Sequence, residues 1–85
     1  MTERDRLVEK LQEAREEGII HSWDFKASSQ NPDGVLLLYY FQPPSLGMKV
    51  ITCAGKGEKE CLVKAVQKVG ALRRAAVAEA RMGET

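Results

Sequence analysis

The sequence predicts a small α+β protein of order α-β-β-β-α, a three-stranded antiparallel sheet with two helices packed on one face. An amphipathic helical pattern opens the chain, three strand-like runs follow, and a long helical pattern entered through Ala54-Gly55-Lys56-Gly57 closes it. The length of 85 residues is enough for one small core and leaves little room for a separate catalytic domain. The chain 1–85 therefore reads as a single domain, with a core over about residues 3–72 and an Ala- and Arg-rich helical extension over about residues 71–82.

The first helix is expected from about Glu3 to Glu17. Thr2 with Asp5 three residues later is a variant of the capping box, and Glu3 and Asp5 suit the positive end of the helix dipole. Leu7, Val8, Leu11 and Ala14 share one stripe, and Gly18 stands where a left-handed cap is needed. Alternation then sets Ile19, His21, Trp23, Phe25 and Ala27 against Ile20, Ser22, Asp24, Lys26 and Ser28, which predicts an edge strand. The stretch from Ser28 to Gly34 has strong turn chemistry in Asn31-Pro32-Asp33-Gly34. Val35 to Phe41 is almost wholly apolar or aromatic, as expected of the middle strand. Gln42-Pro43-Pro44-Ser45-Leu46-Gly47 stops it, because adjacent prolines donate no ladder hydrogen bonds, and Met48 to Ala54 supplies the third strand. The second helix is expected to begin near Glu58, burying Leu62, Val66, Val69, Leu72 and Ala76. Gly70 either permits close packing there or divides the segment in two, and the last residues, Met82 to Thr85, are expected to fray.

Composition excludes several classes. The hydrophobic fraction of 44% with 29% charged residues is that of a folded chain, and no apolar run approaches the roughly 20 residues of a membrane span. The charged start Thr2-Glu3-Arg4-Asp5 lacks the apolar stretch of a secretory signal, so a cytoplasmic location is expected. Cys53 and Cys61 are too few for a disulfide framework and read as reduced, buried thiols. No close ligand pair such as C-x-x-C joins them to His21, so neither a metal nor any other cofactor is expected. His21 has no nucleophile to activate, and no catalytic residue is assigned.

Charge is more informative. From Lys56 to Arg74 the chain carries Lys56, Lys59, Lys64, Lys68, Arg73 and Arg74 against Glu58 and Glu60, within a chain of net charge +1. Lys64 and Lys68 stand one turn apart, and with Lys56 and Lys59 at the helix entrance they are spaced to meet successive phosphates. Gly55-Lys56-Gly57 ahead of a helix has the glycines of a phosphate-cradling turn, but it lacks the full spacing of a nucleotide-binding loop and reads as a plain strand-to-helix turn.

The order of elements, with Gly55 and Gly57 ahead of a lysine-bearing helix, resembles the double-stranded RNA-binding domain over about Glu3 to Val69. That resemblance implies contacts from the first helix and the first inter-strand loop to two minor grooves, with basic residues of the last helix on the phosphates between them. Lys64 fits the last lysine of the family's motif, whereas the lysine pair ahead of it falls on Glu60 and Cys61. The small messenger-RNA-cleaving toxins of bacterial toxin–antitoxin pairs are also similar in element order, and Asn31-Pro32-Asp33-Gly34 is similar to one of their turns. Their Gly-Ser-His motif is absent, and a role for His21 in RNA cleavage is the remotest of three readings.

The expected function is thus a small non-enzymatic module that binds nucleic acid, RNA in preference, through Lys56, Lys59, Lys64, Lys68, Arg73 and Arg74. The alternative is a protein-interaction module, such as a small regulator or inhibitor, possible as a homodimer. It arises because the middle strand is apolar on both faces while two helices cover one, and it places the partner interface on Leu36, Leu38 and Tyr40. The Ala-rich carboxyl end folding back across that face is the competing explanation.

Overall fold

The computed structural model describes residues 2–41 and 47–83, the last five of these as backbone. The elements are α1 (Glu3–Glu16), β1 (Ser22–Lys26), β2 (Val35–Phe41), β3 (Met48–Ala54) and α2 (Glu58–Gly83). The α-β-β-β-α order and the antiparallel β1-β2-β3 sheet agree with the sequence expectation.

Both ends of α1 are closed by local chemistry. The Thr2 hydroxyl accepts from the Asp5 amide while the Asp5 carboxylate accepts from the Thr2 amide, satisfying donors that the first turn leaves free. At the other end Gly18 takes a φ of +80°. Its amide donates to Arg15 O at 3.1 Å and that of Ile19 to Ala14 O at 2.9 Å, the paired bonds of a Schellman cap.

This cap corrects the expected course of the first strand. It carries the chain through Ile20, which is buried in the core, while His21 is exposed and β1 starts only at Ser22. Period-two alternation cannot begin until the capping turn has ended, so the expectation that His21 shares the strand face of Trp23 and Phe25 started too early.

Register decides which sheet face is covered. Trp23 pairs with Leu38 and Phe25 with Leu36 across β1 and β2, while Leu36 pairs with Cys53 and Leu38 with Ile51 across β2 and β3. These residues share the face that meets the helices. There they pack with Leu11 and Ala14 of α1 and with Cys61, Leu62, Ala65 and Val69 of α2. Leu7 and Val8, and Val66 and Leu72, pack partly buried around this core, and Ala76 is exposed. Each fully buried leucine removes enough apolar surface from water to contribute about 1.5–3 kcal/mol.

Leu36 and Leu38 are therefore core residues, and Tyr40 packs against the core from the same face. They do not form an exposed partner surface, contrary to the expected interface. The uncovered set is the other one, Val35, Leu37, Tyr39 and Phe41.

The helices run parallel. Glu3 pairs with Lys59 and Arg4 with Glu58 near their starts, whereas Glu17 pairs with Arg73 beyond the end of α1. α2 continues without a break through Gly70 to Gly83, so this continuous helix does not fold back over the sheet. A side chain at Gly70 would meet only the end of Arg74, at 3.6 Å, which makes close packing an insufficient reason for glycine there. Met82 and Gly83 are helical; Gln42 to Leu46, including the expected proline stop, and Glu84 and Thr85 lie outside the described residues.

Candidate nucleic-acid interface on the second helix

The entrance to α2 is built by two glycines with different tasks. A Cβ on Gly55 would lie 2.7 Å from Glu60 Cβ and 3.3 Å from Cys61 N, so the turn passes too close to the helix for a side chain. Gly57 has open space but a φ of +93°, a conformation that L side chains rarely adopt. The Lys56 amide donates to Glu60 Oε2 and the Cys61 amide to Gly57 O. The chain's own carboxylate thus occupies a donor that a phosphate-cradling turn would offer, in keeping with a plain strand-to-helix turn.

The six expected cations do not form one surface. Lys59 Nζ lies 2.7 Å from Glu3 Oε2, and Arg73 Nη2 lies 2.7 Å from Glu17 Oε2. Both reach toward α1. Nine residues at about 100° each put Arg73 roughly 180° around the helix from Lys64. Lys64 and Lys68 lie on the flank toward β3 and make no ion pair among the described residues, nor do the Lys56 and Arg74 side chains. Arg74 is exposed on the outer side, beyond Gly70.

Cys53 is buried on the helix-bearing face of β3, beneath α2. Burial pushes its thiol above the ordinary value, Lys68 pulls it down, Cys61 pushes it up again and Lys64 pulls it down. Those directions agree with the helical spacing, which sets Lys64 and Lys68 on the side of α2 opposite the Arg73 that reaches toward α1. Lys49 belongs on the same side, because alternation along β3 groups it with Ile51 and Cys53 on the helix-bearing face. Sequence reasoning passed over Lys49; the alternation of Met48 to Ala54 was the available signal, and it acquired meaning only when α2 was placed over β3.

His21 stands apart from this flank. Its Nδ1 lies 3.0 Å from Ser22 Oγ and its ring meets Phe41 edge-on at 5.7 Å, at the rim of a shallow depression shared with Arg15, Gly18 and Ile20. Among the described residues no cluster of three His, Cys, Asp or Glu side chains is placed to hold a metal ion, and no helix is long and apolar enough to cross a membrane. Compared with protein-family models, curated proteins and solved structures, the chain shows no match to any of them.

Proposed function

We propose that this chain is a small non-enzymatic module that binds RNA through the α2–β3 flank, with Lys64 and Lys68 as the central contacts and Lys56 and Lys49 beside them. The observation that carries the reading is that Lys64 and Lys68 are exposed, one turn apart and without acidic partners among the described residues. The acids nearest the helix entrance are engaged elsewhere, Glu58 with Arg4 and Glu60 with the Lys56 amide. Parallel helices on one face of a three-stranded sheet also suit the double-stranded RNA-binding resemblance, in which phosphates meet the last helix. Lys59 and Arg73 drop out of the primary contact set because α1 claims them.

Titration with duplex RNA, duplex DNA and single strands at two salt concentrations tests this. Three to four phosphate contacts predict a log–log salt slope of about −2 to −4. Binding that is absent at low salt, or insensitive to salt, would refute it.

A second reading, a protein-interaction module, is favoured by the open sheet face, where Phe41, Met48 and Val50 are exposed. It uses a different side of the molecule and is compatible with the first.

A further inference from the structure

We infer that the open face of the sheet is a self-association surface, covered in solution by the same face of a second copy of this chain. This does not depend on the RNA reading. The register places Val35, Leu37, Tyr39 and Phe41 of β2 beside Ala54, Thr52, Val50 and Met48 of β3 on the side away from both helices. Phe41 is 50% exposed, Met48 44% and Val50 52%. A sheet with helices on one side only is a two-layer slab, and the shortest dimension of the molecule is 17 Å.

The exposed area exceeds what a compact monomer needs. A 9.5 kDa chain is expected to show about 5,000 Å² of surface, and this one shows 6040 Å². Its radius of gyration is 14.0 Å, against about 12 Å for a compact domain of this length. The end of α2, where residues 73–78 are all exposed, contributes to that excess. A standard protein interface removes about 800 Å² from each partner, an area this chain can lose and still show about 5,200 Å², close to the compact value.

Charge selects the occupant. The charged residues on the described part of this face are Asp24 and Lys26, on the β1 margin, and they pair with each other at 3.8 Å. Two copies can meet there without like-charge repulsion, and an apolar centre with a polar margin suits a twofold, self-complementary contact. A nucleic acid would find Tyr39 and Phe41 to stack on, but among the described residues of this face the one formal cation, Lys26, is already paired, and Arg15 and His21 stand only at the rim beside Phe41.

The test is the solution mass of the full 85-residue chain by sedimentation equilibrium across micromolar to submillimolar concentration, with Val50→Glu and Lys64→Glu as variants. Val50 is half exposed in the single chain, so the glutamate is tolerated by the fold, which circular dichroism verifies. The expected result is twice the 9.5 kDa chain mass for the parent protein and for Lys64→Glu. Val50→Glu should weaken dimerisation about tenfold or more, because a twofold contact contains the substitution twice. A monomer at every concentration would overturn the proposal and leave the face to a different protein partner. A dimer that survives Val50→Glu would overturn it too, since pairing would then use another surface such as the exposed Val77 side of α2.

Discussion

The ring of Phe25 fills the space that a side chain on Gly34 would need. A Cβ at Gly34 would stand 2.6 Å from Phe25 Cε2 and 3.0 Å from Lys26 O, at a residue whose φ is +78°. The Gly34 carbonyl also accepts a 3.9 Å contact from the Cys61 thiol, which ties the start of β2 to the first turns of α2. Gly34→Ala combines an overlap with a strained backbone, and a loss of about 2–4 kcal/mol is expected. Gly18 has a similar φ of +80° but nothing within 4 Å, so Gly18→Ala should cost only about 1 kcal/mol. Urea denaturation of both variants checks the order, and equal losses would show that the Phe25 contact is unimportant.

The capping box makes a separate stability prediction. Thr2→Ala removes the acceptor for the Asp5 amide and should cost about 1 kcal/mol. Because the site is exposed, the measurable change is a lower denaturation midpoint with an unchanged slope.

The ion pairs between the helices should contribute little. Glu17 and Arg73 are both about half exposed, and Glu17→Gln is expected to lower stability by no more than about 1 kcal/mol. A larger loss, measured at two salt concentrations, would mean that the pair holds α2 against α1 more firmly than its exposure implies.

Replacing both Lys64 and Lys68 with glutamine should reduce the salt slope for RNA by about 2. The same change at Lys59 and Arg73 should reduce it by less, since both are already paired with glutamates. Equal effects from the two pairs would remove the distinction between the flanks of α2.

Cys53 sets an expectation for alkaline pH. Burial raises its thiol pKa in the folded state above the ordinary thiol value, so the native protein holds this proton more tightly than the unfolded chain. The associated stability is fully present below the unfolded pKa and is lost as pH rises from about 9 through the folded value. Cys53→Ala should flatten that part of the stability curve. At neutral pH both buried thiols should react slowly with a thiol reagent until the protein is unfolded.

The Thr2 and Gly18 caps of α1, the limits of β3 and the start of α2 at Glu58 were legible because each depends on residues within a few positions of one another. His21 was misplaced because the Schellman bonds from Gly18 and Ile19 postpone the alternation on which its assignment rested. The candidate site was legible as a list of cations but not as a surface. Lys59 and Arg73 were separated from Lys64 and Lys68 by Glu3 at the start of α1 and Glu17 just beyond its end, and Arg73 lies 56 positions from Glu17.

By itself the sequence determined the order and kind of the elements, since helical and strand periodicities and their caps are written locally. Tertiary structure alone decided that Leu36 and Leu38 face inward while Leu37 and Phe41 face out. Alternation along an entirely apolar strand defines two faces without ranking them. The choice comes from pairing register and from the parallel docking of two helices on one side.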